Sequence, residues 1–339
     1  MTKVAILTTA HIHTPGFVKR LKERIAAGTV QIAGVYDPMP ALAKKYAEEL
    51  GAPILKDPRE ALDDASVEAV VLTGATVEHD GLAVACAKAR KHVFIEKPLA
   101  TTGAEAMRIF TAIKENGVLF QTGHFMRYDR ALRFVKQEID AGNLGTVTRA
   151  RHSNCHSGAI AGWFDKDYRW FFHKDQAGGG GFYDLGCHSV DILNYFFGPI
   201  ESATAALGTK AIKYAAIDEY GESILKFKNG VLATVAGGWV DVANPVSLVV
   251  SGTEGHITQF DGRIYYSSKK TKVPGADGKT PIDAANFPAA AAHPFEAFFD
   301  VLAGKADKSE LIPVEDAVNV CRAMEAMYLA DKLGSWVRV

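Results

Sequence analysis

The sequence predicts an α/β domain built on a parallel, doubly wound sheet, followed by an α+β domain whose sheet is open and largely antiparallel. Two patterns carry this reading. From Val4 to about Gly123, short apolar runs alternate with helical patterns, as successive strand-helix-strand units require. After about Ala150 the runs lengthen, alternate in polarity and are joined by turns. With 339 residues and 48% apolar content, the chain can bury a full core and suits about two domains, drawn here as 1–123 and 124–339.

Taken in order, the first-half strands are VAIL at Val4, QIAGVY at Gln31, VEAVVL at Val67, HVFIE at His92 and VLFQTG at Val118. Between the first two, Phe17, Val18, Leu21 and Ile25 share one helical face behind Pro15, which suits a first-turn position. In the second half, EYGESILKF and VLATVAGGWV flank Asn229-Gly230, a strong hairpin signal. SLVVSGT, HITQF and RIYYSS extend that sheet. Helices are expected near Asp184 to Phe197, Ala291 to Leu302 and Val314 to Leu333, and Val273 to Ala292, rich in Pro, Gly and Ala, is expected as a surface loop.

The 38 basic and 39 acidic residues nearly cancel, so no field for nucleic acid or anionic lipid is indicated and a neutral or polar small molecule is the default partner. The chain enters its first strand directly after Met-Thr-Lys and has no apolar run long enough to cross a bilayer, so a soluble cytoplasmic protein is expected. Four scattered cysteines (Cys86, Cys155, Cys187, Cys321), with no CxxC pair, read as free thiols.

Three groups of residues bear on chemistry. Lys97 follows a strand in "HVFIEKPLA", where ligands of open parallel sheets bind; Pro98 keeps it out of helical geometry, and a solvated lysine would look the same. In "GGGGFYDLGCHSVDIL", Asp184 and His188 lie four apart, on one face if a helix starts near Asp184. The glycines ahead of them would admit close approach of backbone, substrate or cofactor, and Asp191 extends the same face. In "WFDKDYRWFFHKD", Trp163, Tyr168, Arg169 and Trp170 suit either a pocket for a sugar's carbon face and hydroxyls or plain core packing.

Together, the Glu96-Lys97-Pro98 strand end, "QTGHFMRYDRAL", the W…W…GGG tract and the D-x-G-x-H of Asp184, Gly186 and His188 resemble the Gfo/Idh/MocA oxidoreductase family, nearly end to end. "SGTEGHI" is similar to that family's sheet-edge turn and the closing "IPVEDAVNVCRAMEAMYLADKLGSWV" to its terminal helix. The resemblance implies a nicotinamide-binding Rossmann domain over 1–123 and a substrate-binding and oligomerisation domain over 124–339; the residues themselves predict self-association, as a homodimer or homotetramer, through the open sheet face, where strands around Val231 to Val240 and Ser247 to Val250 carry apolar residues on more than one side. The resemblance implies oxidation or reduction of a CH–OH carbon in a sugar, inositol or related polyol, with Lys97, Asp184 and His188 at the catalytic positions. It also implies Thr73, His79, Glu96 and Lys97 near the cofactor, and Arg127, Trp163, Arg169, Trp170, Asp184 and His188 near substrate. A redox-neutral enzyme that retains its NAD is one alternative. A non-catalytic sugar sensor is another, but such a protein would be free to lose Lys97 and His188.

The opening turn departs from the family. A Rossmann fingerprint places glycines where this chain has Thr8, Ala10 and His13. The side chains of Thr8, Thr9, His11 and His13, the backbone about Ala10 and the helix after Pro15 are the expected phosphate donors. Asp37, ending the second strand about 24 residues past His13, suits the ribose hydroxyls of NAD and disfavours NADP. The H-x-H of His11 and His13 could share a metal ion, but the stretch lacks supporting carboxylates, so no metal is expected.

Overall fold

The five apolar runs of the first half all form strands of one parallel sheet. The structure is a computed structural model that describes residues 1–214 and 216–339, in two compact units. The first unit comprises Met1–His124, Asp165–Gly178 and Ala292–Val318, so the chain returns to it twice. Its elements are β1 (Thr2–Leu7), α1 (Thr14–Ala26), β2 (Val30–Tyr36), α2 (Pro40–Leu50), α3 (Arg59–Leu62), β3 (Ala69–Leu72), α4 (His79–Lys88), β4 (His92–Ile95), α5 (Gly103–Asn116) and β5 (Phe120–Thr122). The strands lie in the order β2-β1-β3-β4-β5, so the winding reverses between β1 and β3, and their carboxyl edge is where such sheets bind ligands. Phe17, Val18 and Leu21 bury the face of α1 predicted from their spacing, and Pro15 occupies its first turn.

The second unit comprises Phe125–Phe164, Gly179–Ala291 and Asn319–Val339. It contributes α6 (Arg130–Asp140) and β6 (Val147–Cys155); a short α7 (Lys174–Ala177) belongs to the first unit and precedes α8 (Gly181–Phe197) of the second. The strands β7 (Ile200–Gly208), β8 (Tyr220–Phe227), β9 (Leu232–Gly238), β10 (Val246–Gly252), β11 (Gly255–Phe260), β12 (Arg263–Ser268) and β13 (Asp277–Pro281) follow. Then come α9 (Pro294–Leu302), in the first unit, α10 (Val314–Leu333) and β14 (Val337–Arg338). The nine-stranded sheet runs β13-β12-β11-β10-β6-β9-β8-β7-β14 and is antiparallel except between β6 and β9.

In β8, inward residues alternate strictly with exposed ones, and Gly230, at φ +89°, closes the expected hairpin to β9. The covered face packs on α8 so closely that a Cβ on Gly237 of β9 would stand 2.7 Å from the Gly186 nitrogen of the helix.

Three expectations need correction. Helix α8 begins at Gly181, three residues before Asp184, because a distant carboxylate caps it, as described below. Helix α9 begins at Pro294 rather than Ala291, since His293 caps it by accepting from the Phe295 N–H at 3.2 Å. Its Phe295, Phe298 and Phe299 pack into the first unit's core with Phe17 and Phe94. Within the expected loop of 273–292, β13 pairs with β12 as a fully exposed edge strand. Cys86, Cys187 and Cys321 are buried, and none of the four cysteines is in a disulfide. Among the described residues no helix is long and apolar enough to cross a membrane.

Candidate active site

In the first unit the turn after β1 is knitted to its neighbours. Thr8 adopts φ +76° against Gly74, where a Cβ would come within 2.4 Å of the Thr8 hydroxyl oxygen and 2.1 Å of Glu78 Oε2, so the pairing requires glycine. Thr73 ties the ends of β1 and β3 together, its hydroxyl donating to the Thr8 carbonyl at 3.1 Å. Thr9 donates both its N–H and its hydroxyl to Asp37 Oδ2, each at 2.7 Å, and the Met39 N–H donates to Asp37 Oδ1 at 2.8 Å. Burial pushes the Asp37 carboxyl upward, against those three bonds. The turn therefore presents fewer donors than its composition suggests. The His11 N–H is bonded to the Thr73 carbonyl at 2.8 Å, and the His13 N–H to His11 Nδ1 at 3.1 Å.

The aromatic stretch supports this turn. Trp170 is 8% exposed, donates from Nε1 to the Ala10 carbonyl at 2.9 Å and stacks on Phe171 with ring centres 4.0 Å apart. Phe171 in turn packs edge-on against His11 at 5.2 Å. Trp170 thus clamps the turn from inside the core, while Arg169 is exposed and lies over the Phe172 ring. Trp163, in the second unit, is half exposed beside His156.

The expectation that His11 and His13 lack a carboxylate is overturned. Glu96, which directly follows β4, is fully buried and places Oε1 2.8 Å from His13 Nδ1 and 4.0 Å from His11 Nδ1. Lys97 next to it is also buried, at 2% exposure. His79 orients the segment beyond: its Nδ1 lies 3.1 Å from the Pro98 carbonyl, so that nitrogen carries the proton, and burial keeps the ring neutral.

Four buried polar atoms along this carboxyl edge, Thr8 Oγ1, His79 Nε2, Glu96 Oε2 and Thr122 Oγ1, make no hydrogen bond among the described residues. Buried polar groups are normally paired, so these fit an edge that receives a polar ligand such as a dinucleotide.

In the second unit, α8 carries Asp184 and His188 one turn apart, both buried. Trp239 fixes the carboxylate, donating from Nε1 to Asp184 Oδ2 at 2.9 Å, and Phe125 lies edge-on to the His188 ring at 5.1 Å. Asp191, on the same helix, is engaged elsewhere. It receives Arg127 through Nε and Nη2 at 2.7–3.0 Å, a buried fork that occupies the guanidinium expected at substrate.

The glycine run serves backbone approach. A Cβ on Gly180 would stand 2.0 Å from the Asp218 carbonyl oxygen, and one on Gly181 2.3 Å from that of Glu219. The Asp218 carboxylate accepts from the N–H groups of Gly180 and Phe182, both at 2.9 Å, and from the Tyr328 hydroxyl at 2.8 Å. Asp218 and Trp239 are the residues sequence reasoning missed; each acts across the fold on a helix more than thirty residues away.

Comparison with known proteins agrees with this architecture. Residues 8–124 match the family model described as "Oxidoreductase family, NAD-binding Rossmann fold" of GFO/IDH/MocA, and residues 132–258 match that family's C-terminal domain. The scyllo-inositol 2-dehydrogenase (NAD(+)) of Bacillus subtilis is 29% identical over 66% of this chain and 64% of its own length. The 2,7-anhydro-N-acetylneuraminate hydratase of Escherichia coli is 26% identical over 67% of this chain and 60% of its own length. The matches thus span less than two thirds of either relative. Among solved structures, a levoglucosan dehydrogenase complex with NADH and levoglucosan superposes with a TM-score of 0.80 at 22% identity, covering 100% of this chain and 99% of the other, a likeness of fold. The chain belongs to the GFO/IDH/MocA family of oxidoreductases, and its first part is that family's NAD-binding Rossmann domain.

Proposed function

We propose that this protein is an NAD-dependent dehydrogenase acting on a CH–OH carbon of a sugar, inositol or related polyol. The observation that carries the reading is the buried Asp184-His188 pair of α8, with Asp184 held by Trp239, in a chain that belongs to an oxidoreductase family with an NAD-binding domain. Removing hydride from a secondary alcohol requires the hydroxyl proton to leave. Imidazole is the side chain whose ordinary titration lies nearest neutral pH, and His188 takes that proton as general base. Lys97 supplies positive charge for the developing alkoxide, as oxyanion-stabilising groups do. Asp184 orients the substrate hydroxyl or the imidazole. When bound, NAD would supply the hydride acceptor; Asp37 would hold its ribose hydroxyls, and Thr8, Thr73, His79 and Glu96 would line it along the strand edge. The Asp37 carboxylate also selects against NADP, whose 2′-phosphate would meet like charge.

A second reading is supported by the hydratase among the relatives, since hydration involves no net oxidation. In that case NAD would stay bound through each turnover. Following absorbance of NADH while a panel of inositols, hexoses and anhydrosugars is supplied with excess NAD separates the two. The dehydrogenase reading expects free NADH to accumulate with at least one polyol. Product formation without NADH would favour the redox-neutral reading. Self-association through the uncovered face of the large sheet is part of the same proposal.

A further inference from the structure

We propose that His11, His13 and Glu96 form a binding site for a divalent transition-metal ion of the zinc class. The H-x-H pair alone is a weak signal, and the fold supplies what it lacks by bringing a carboxylate from the end of β4 to the turn after β1. One ligand atom from each of the three residues lies within 4.8 Å of the others. Zinc bonds of about 2.0–2.1 Å to nitrogen and oxygen place neighbouring tetrahedral ligands about 3.3 Å apart. The His13–Glu96 and His11–Glu96 separations of 2.8 and 4.0 Å straddle that value, and with all three ligand atoms within 4.8 Å of one another, side-chain rotation brings the set into range.

Three further features favour a cation here. Glu96 is fully buried, which is costly for a carboxylate unless positive charge compensates it, and its Oε2 makes no hydrogen bond among the described residues. His11 Nδ1 is unprotonated, since it accepts the His13 N–H at 3.1 Å, and an ion would displace that bond to use the same lone pair. The His11 ring is fixed by Trp170 and Phe171 at 5.8 and 5.2 Å, an apolar shell that orients a ligand and excludes water. His13 has a side chain 41% exposed and gives the ion a path in. Two imidazoles and one carboxylate suit zinc, cobalt or nickel rather than calcium or magnesium, which take oxygen ligands, and three protein ligands leave an open position.

The test uses the untagged full-length protein, stripped with chelator and dialysed without nucleotide, so it does not depend on the dehydrogenase reading. Co(II) is titrated and followed by its visible spectrum and by metal analysis after equilibrium dialysis, and Zn(II) is then added as competitor. One Co(II) per chain, displaced by Zn(II), is expected. His13→Ala and Glu96→Gln should each weaken binding at least about tenfold, and exposed His256→Ala should not. Circular dichroism verifies that each variant is folded; His13→Ala alters a part-exposed side chain and keeps the test decisive if Glu96→Gln fails to fold. Absence of stoichiometric binding, or binding unchanged in folded His13→Ala, would overturn the proposal and leave a carboxylate–imidazole ion pair only.

Discussion

Arg127 separates structure from chemistry at the scale of single residues. Its fork on Asp191 is buried on both sides, with side chains 7% and 1% exposed. Removing one member of such a pair leaves an uncompensated buried charge, so Arg127→Ala should lose about 3–5 kcal/mol in urea unfolding. A normal unfolding midpoint with a raised KM would instead assign Arg127 to substrate. Glu78 tests the turn electrostatically. Burial chiefly, with the Asp37 charge adding, pushes its carboxyl up to about 7 from an ordinary 4.5. The folded state then holds a proton that the unfolded state has lost, and this group's stability contribution is present below about pH 4.5 and lost as pH rises through 7. Against Glu78→Gln, the parent should become less stable by about 1–2 kcal/mol above neutral pH, allowing for solvent screening, and match it near pH 4.5. Comparing the two proteins cancels the opposite slope of buried neutral His152, which burial pushes down to about 4. Parallel stability curves would contradict this. The carboxyl neighbours of these residues are set by the fold rather than by local pattern: His13 and Glu96 are 83 positions apart, and nothing near "HIH" announces the pairing.

Elements were legible wherever periodicity and punctuation act locally. The five parallel strands, the face of α1 and the Asn229-Gly230 hairpin follow from apolar spacing and turn residues alone. The four-residue spacing likewise put Asp184 and His188 on one face of α8. The start of α8 was not legible, because its cap comes from Asp218, 38 positions beyond Gly180, rather than from a residue just before the helix. Nor did composition tell that the glycines make room for the Asp218 and Glu219 backbone rather than for a ligand. Asp218→Ala should therefore destabilise by about 1–3 kcal/mol, having stripped two helix N–H groups and Tyr328 of their acceptor. Gly180→Ala should cost more, since its Cβ meets backbone that cannot swing aside. Thermal unfolding of both variants checks the order; a Gly180→Ala protein as stable as the parent would show that the approach is looser than the geometry indicates.

For the whole molecule, the large sheet has one covered face and one on which Tyr220, Ile224 and Leu232 are exposed among Glu222 and Lys226. An apolar patch of this kind, rimmed by charge, suits a partner, and a second copy of the chain is the occupant we propose. Light scattering should report a dimer or tetramer, and Ile224→Glu should shift it toward monomer; a monomeric parent at micromolar concentration would remove the proposal. Proton transfer by His188 is the step on which the proposed chemistry turns. It is tested most directly by the rate of NADH formation in a single turnover of His188→Ala with saturating NAD and the polyol that the parent oxidises, on samples whose NAD affinity by calorimetry equals the parent's. With His188 as the base, the rate falls by about 10²–10⁴-fold, the usual contribution of a positioned acid or base. A near-parental rate would contradict that role.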